Sequence, residues 1–195
     1  LRSSLRHEVS RFSDVLEACQ THGVRRVVFV NSVGALGPQT GDPLAASSFH
    51  EPMTTDAAYF EVPAMVEAAM YRFLDTGLSI VPLLVPVVVS DKQDDWGLLA
   101  SIRRLPILPE GHVVLLGAED LGRAIVTAER TGRAGRRYVL SGTRVSTREV
   151  VSWLGSPRKL MLSRSRWKSK LAKPLRVAEV HLAPLTLAAE YDGER

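Results

Sequence analysis

Two runs of aliphatic and β-branched residues constrain this chain more than any other feature: RRVVFVNS at 25–32 and SIVPLLVPVVV at 79–89. The second is apolar on both faces that a strand presents, so it needs cover on both sides. That requirement points to a parallel sheet lying between helices, not to an antiparallel sheet with one wet face. Pro82 and Pro86 interrupt this run, and proline cannot donate to a ladder, so only part of it is expected to join the sheet.

Helical spacing flanks both runs. Leu5, Val9, Phe12, Leu16 and Cys19 share one face and stop at Gly23; Val62, Met65, Val66, Ala69, Met70, Phe73 and Leu74 share another and stop at Gly77. Downstream, residues 91–112 read as irregular apart from one short helix around WGLLASIRR, and HVVLL at 112–116 reads as a short strand. Glu119 and Asp120 open a helix through Leu121, Ala124, Ile125 and Ala128, where acids suit the positive end of the dipole. RRYVLSG at 136–142 reads as strand and turn, and Ser146 with Glu149 forms a capping-box signature for a helix through Val150, Val151 and Leu154. The alternation predicts an α/β fold with a mostly parallel sheet.

With 195 residues the chain is long enough for one domain with a substantial core, or a domain plus a small lobe. Its one cysteine, Cys19, excludes an internal disulfide and a cysteine-based metal site. His7, His22, His50, His112 and His181 are too scattered to suggest a metal, and none is expected. The apolar run at 78–89 is too short to span a bilayer, and no signal-peptide layout opens the chain, so the expectation is a cytoplasmic protein without a transmembrane segment. The net charge of +4 favours approach of anionic ligands without selecting one. The stretch PRKLMLSRSRWKSKLAKPLR at 157–176 carries eight Lys and Arg and no acid. Its basic core at 158–176 is read as a solvated face, with anionic membrane as an alternative and nucleic acid not expected. Trp96, Trp153 and Trp167 are read as packing residues, with lining of a substrate lobe as the alternative.

In parallel sheets ligands bind beyond the carboxyl ends of the strands, which directs attention to the loop from Asn31 and Ser32 and to the loop after Val89. Here the chain resembles a known family. LEACQTHGVRRVVFVNSVGALG at 16–37 is similar to the helix–strand–loop segment of extended short-chain dehydrogenase/reductases. Glu51–Pro52 and Tyr59 fall where that family places an acidic loop and a catalytic tyrosine, and VVLLGAEDLGRAIVTAERTGRAGRRYVLSG at 113–142 is similar to its downstream block. The resemblance covers most of 8–155 and is nearest to the NAD-dependent epimerase/dehydratase group, especially its dihydroflavonol-reductase-like members.

The resemblance implies a partial Rossmann-like fold. Residues 1–90 would be the C-terminal half of a nucleotide-binding domain, and 91–195 a small substrate-binding lobe intermixed with the last sheet elements. It implies hydride transfer at a carbonyl or hydroxyl carbon of a small-molecule substrate, with NAD or NADP as cofactor and a homodimer as an allowed assembly. Ser32 matches the serine that holds the substrate oxygen, and Tyr59 the tyrosine that exchanges a proton with it. Asn31, Ser32, Tyr59 and Pro86 are the candidate cofactor contacts.

Two departures stand against full activity. The family places a lysine four residues after the tyrosine, where this chain has Pro63, and no lysine occurs from 1 to 91. An unperturbed tyrosine has a pKa near ~10 and needs a neighbouring cation to act as a base at neutral pH. Because proline clashes with the carbonyl four residues back, the helix is expected to start near Val62 or Pro63, leaving Tyr59 in the lead-in turn. The second departure is the absence of a Gly-x-x-Gly-x-x-Gly turn after a strand; Gly34 and Gly37 are spaced like two of its glycines, but no helix is expected behind them. The chain is therefore expected to be a fragment lacking the family's first strands, with a degenerate active site and weak or no binding of NAD(P) on its own. The alternative is a non-catalytic, small-ligand-binding or regulatory descendant.

Overall fold

The computed structural model describes residues 2–37, 58–91, 97–155 and 159–162. Helix α1 (Arg2–Thr21) leads into strand β1 (Arg26–Ser32), which ends in a single 3-10 turn at Val33–Leu36. Helix α2 (Ala58–Leu74) follows, then strand β2 (Ser79–Val85). Gly23 and Gly77, just past α1 and α2, have φ of 71° and 87°, the left-handed conformation that ends helices at little cost for glycine.

Strands β1 and β2 pair in parallel from Arg26↔Ser79 to Ser32↔Val85. The far side of β2 pairs, also in parallel, with the short strand β6 (Tyr138–Val139), giving the order β1-β2-β6. Because side chains alternate along a strand, each face of this sheet builds its own core. On one face Phe29, Leu78 and Ile80 pack with Leu16 and Met70 of α1 and α2. On the other, Val81, Leu83 and Val85 pack with Ala128, and with Leu121 and Ile125, of helix α4 (Ala118–Thr131). The result is the expected three-layer arrangement of helices, parallel sheet and helix.

Pro82 lies inside β2, opposite Phe29. The carbonyls of Ile80 and Leu84 accept from Gly135 and Leu140 on the β6 side, so by the two-residue period the Pro82 nitrogen faces that side too. Pairing with β6 begins only at Leu83, and the missing N–H therefore falls just outside the ladder. Arg26 fixes α4 from the other end of the sheet: its guanidinium donates to Ser79 Oγ at 3.0 Å, to the Ala128 carbonyl at 2.9 Å and to the Gly132 carbonyl. A cation there also suits the negative end of the α4 dipole.

At Pro86 the chain leaves this sheet. Strand β3 (Val87–Val89) pairs in parallel with β5 (His112–Gly117), which pairs antiparallel with β7 (Thr143–Ser146). Helices α3 (Gly97–Arg104) and α5 (Thr147–Trp153) cover this second sheet around Ile102, Leu108, Val113, Val145, Val150 and Val151. A third pairing, β4 (Ile107–Pro109) with β8 (Leu160–Leu162), corrects two sequence readings. Residues 91–112 are not irregular throughout, and Leu160–Leu162 of the basic stretch form a strand. Each of these strands is only three residues long, too short to show a period, and β8 sits in a run whose charges dominate its pattern.

Candidate functional site

The site is built where β1 ends against the beginning of α2. Asn31 and Ser32 are the last two residues of β1, and Ser32 is the cap of the 3-10 turn: its Oγ accepts the Gly34 N–H at 3.0 Å. Using a lone pair in this way leaves the hydroxyl proton to be donated elsewhere. Asn31 uses both ends of its amide. Its Oδ1 accepts the Ser32 N–H at 2.9 Å, and its Nδ2 donates to the Pro63 carbonyl at 3.0 Å.

Gly34 is the meeting point. A Cβ added there would lie 2.3 Å from the Tyr59 carbonyl oxygen, 3.3 Å from Ser32 Oγ and 3.4 Å from Pro63 Cγ. Only glycine admits so close an approach. The Tyr59 main chain is thus brought against the turn that Ser32 caps. The Tyr59 ring is half-buried and meets Phe60 edge-to-face at 5.2 Å.

The expected start of α2 is corrected. The helix begins at Ala58, Tyr59 lies in its first turn, and Pro63 sits inside it. Proline gives no N–H to the Tyr59 carbonyl and crowds it, which is why a start at Val62 or Pro63 was expected. Tertiary contacts outweigh that cost: the side-chain-free Gly34 leaves room for the Tyr59 carbonyl, and Asn31 donates to the Pro63 carbonyl from outside the helix. The four-residue offset from Tyr59 to Pro63 therefore lies on continuous helix, and no cation occupies its second position.

A second polar contact, deeper along α2, was not foreseen. Glu67 and Arg137 are both buried and form a two-point ion pair. Arg137 Nη2 donates to Glu67 Oε2 at 2.9 Å, while Nε and Oε1 approach to 2.8 Å in an electrostatic contact that is not an aligned hydrogen bond. Burial pushes the Glu67 carboxyl up from its usual range, and the Arg137 charge pulls part of that back. One turn on, burial and the Glu67 charge raise the Tyr71 phenol, against a smaller opposing effect of Arg137. The sequence signal was an acid at position 67 beside the apolar face of α2, next to Val66, Ala69 and Met70.

Pro86, the remaining candidate contact, is buried at the carboxyl end of β2, where the chain crosses to the second sheet. Asp120 pairs with Arg123 on the surface of α4, and the Trp153 side chain is mostly exposed. No cluster of three metal-ligating side chains occurs among the described residues. No helix among them is long and apolar enough to cross a membrane. His50, Glu51–Pro52, Trp96, Trp167, His181 and the basic stretch beyond Leu162 lie outside the described residues.

The described residues lack both features that would hold a nicotinamide dinucleotide: a cation at position 63 for the ribose, and a glycine-rich turn opening a long helix for the pyrophosphate. Pro63, with its carbonyl engaged by Asn31, offers the ribose no cation. No glycine-rich turn opens a long helix among the described residues; α4, the nearest case, begins after Gly117 with Glu119 and Asp120 in its first turn.

Solved structures share this architecture. The crystal structure of gox2253 superimposes with a TM-score of 0.76 at 16% identity, covering 98% of this chain and 65% of that one. PA4631, a nucleoside-diphosphate-sugar epimerase from Pseudomonas aeruginosa, gives 0.76 at 20% identity over 96% of this chain and 65% of that one. DesIV, a dTDP-glucose 4,6-dehydratase from Streptomyces venezuelae solved with NAD and TYD bound, gives 0.72 at 18% identity over 97% and 58%. The chain thus spans somewhat less than two thirds of the length of these proteins. At such identities the likeness is one of fold, a Rossmann-like α/β arrangement. No protein-family model matches the chain, and no curated relative matches it in sequence.

Proposed function

We propose that this chain carries the carbonyl-handling end of an NAD(P)-dependent oxidoreductase or epimerase site acting on a small molecule. The observation that supports the reading is the packing of the Tyr59 carbonyl on Gly34, in the turn that Ser32 caps at the carboxyl end of a parallel strand. In this reading Ser32 donates its hydroxyl proton to the substrate oxygen and fixes its orientation. Tyr59 gives a proton to that oxygen as a carbonyl is reduced, or takes one as an alcohol is oxidised. The nicotinamide, when bound, supplies or accepts the hydride. Solved neighbours described as complexes with NAD or NADPH support this choice of cofactor. The division into a nucleotide half at 1–90 and a substrate lobe within 91–195, a cytoplasmic location and a homodimer belong to the same reading and stand on resemblance.

A second reading has its own observation. Pro63 occupies the place of the cation that would lower the tyrosine's pKa, and it is built into the packing. A non-catalytic protein that binds a small ligand would need no such cation.

The two readings separate on turnover. NADH and NADPH oxidation is followed with a panel of aldehydes, ketones and nucleotide sugars, for the wild type and for Ser32→Ala, Tyr59→Phe and Pro63→Lys. With NADH or NADPH raised to concentrations that offset the missing glycine-rich turn, the catalytic reading expects slow turnover that both truncations abolish. It also expects Pro63→Lys to raise the rate and move the pH optimum down towards neutral, since a cation favours the phenolate. Turnover unaffected by Tyr59→Phe overturns it. Ligand binding with no turnover in any variant selects the second reading.

A further inference from the structure

Asn31 has a role that neither proton transfer nor substrate binding uses. Pro63 removes one rung from the first turns of α2, because it has no N–H to give to the Tyr59 carbonyl. A carbonyl has two lone pairs, and in a regular helix the rung from residue 67 uses one of those on Pro63. The Asn31 amide nitrogen, at 3.0 Å, takes the other from outside the helix, while its oxygen holds the Ser32 N–H at 2.9 Å. Asn31 is half-buried and paired through its backbone with Leu84 of β2, so its Cα is set by the sheet and not by the loop.

We propose that Asn31 is a positioning residue. It compensates for the proline-interrupted turn of α2 by tying it to the end of β1, beside the backbone of Ser32. No other neutral side chain of this length offers a donor and an acceptor on one rigid plane: aspartate lacks the donor and leucine lacks both. Gly34 supplies the clearance and Asn31 the attachment. The proposal rests on the site described above only for what that attachment serves; the attachment itself can be measured without cofactor or turnover.

The test is a double-mutant cycle on the whole chain, with Asn31→Ala, Pro63→Ala and the pair together. It is read by hydrogen exchange in peptides covering 58–67 and, as a control, in peptides covering 118–131 of α4. Loss of one attaching hydrogen bond is expected to speed exchange in 58–67 by about tenfold in Asn31→Ala, with α4 changed by less than about twofold. Pro63→Ala restores the missing N–H, so the effect of Asn31→Ala in that background is expected to shrink to about threefold or less. Asn31→Asp, which keeps the acceptor and loses the donor, is expected to match Asn31→Ala over 58–67. It also serves as the measurable variant should Asn31→Ala not fold. The proposal is overturned by equal effects in both backgrounds, by acceleration spread evenly over 58–67 and 118–131, by no acceleration, or by Asn31→Asp exchanging like the wild type. A failure of the hydride-transfer reading would appear in the turnover of Ser32→Ala and Tyr59→Phe and would leave these rates unchanged.

Discussion

Helices α2 and α5 are each fixed by a glutamate, and the two carboxyls are driven in opposite directions. Glu67 lies under α2 among apolar side chains with Arg137 as its partner; burial raises its pKa. Glu149 lies in the first turn of α5 in full contact with solvent. There its carboxylate accepts from the Ser146 N–H at 2.6 Å and from Ser146 Oγ at 2.7 Å, and its own N–H donates to that Oγ at 3.2 Å. These hydrogen bonds favour the charged form and lower its pKa. One glutamate decides where a helix sits on the sheet, the other where a helix starts. The first task requires desolvation, which disfavours charge, and the second requires only a short local contact, which favours it.

Breaking the buried joint should cost most. Glu67→Ala or Arg137→Ala takes away the opposite charge that compensates its buried partner, and a loss of about 3–5 kcal/mol is expected in urea denaturation. Glu67→Leu combined with Arg137→Met should recover most of that loss, because it removes both charges. A single truncation costing under about 1 kcal/mol would mean that the pair is hydrated, and the contrast with α5 would collapse.

Next in size is Gly34→Ala, in the upper part of the α2 attachment. The added Cβ meets a backbone carbonyl, which cannot swing aside as a flexible side chain would. An overpacking cost of about 1–3 kcal/mol is expected, with hydrogen exchange accelerated first in 58–67. The α5 joint should be cheaper: Ser146→Ala removes an N-cap, with an expected loss of about 1 kcal/mol on the same denaturation scale.

The smallest effect, and the sharpest form of the contrast, is the pH dependence of the melting temperature. For Glu149 the folded pKa lies below the unfolded value, so its contribution is present above about pH 4.5 and is lost as the pH falls through the folded pKa. For Glu67 the folded pKa lies above the unfolded value of 4.5. Between the two values the unfolded chain has already released the proton, and stability falls as the pH rises through that window. Glu149→Gln should therefore flatten the acid limb, and Glu67→Gln should flatten the slope above pH 4.5. Identical melting profiles for the two variants would contradict the opposite shifts.

Much of this architecture was legible in the sequence because it is periodic. The helical faces of α1 and α2, the apolar strands at 26–32 and 79–85, the acids opening α4 and the capping box of α5 all follow from spacing and local chemistry. What was not legible depends on partners distant in sequence. β7 at Thr143–Ser146 is polar at three of its four positions and exists because β5 is there to pair with it. Pro63 reads as a helix start by any local rule, and only Asn31 and Gly34, at the end of another element, explain how it sits inside α2. Ser32 and Tyr59 were identifiable as candidates by family resemblance. That the Tyr59 carbonyl packs on Gly34, in the turn that Ser32 caps, could be seen only in the fold.

The interleaving of the first sheet has a consequence for synthesis. Val28, Val81, Leu83 and Val85 form a face whose cover, Leu121, Ile125 and Ala128 of α4, and whose flanking strand β6 come from much later in the chain. A ribosome that has finished β2 must add about fifty further residues before β6 exists, roughly 3–10 s at typical elongation rates. Through that interval one side of the sheet is held by α1 and α2 while the other is open to water and to any apolar surface nearby. A nascent chain of this kind is a natural client for holding chaperones. Codon changes that slow translation between 86 and 139 should lower soluble yield more than the same changes placed before residue 79.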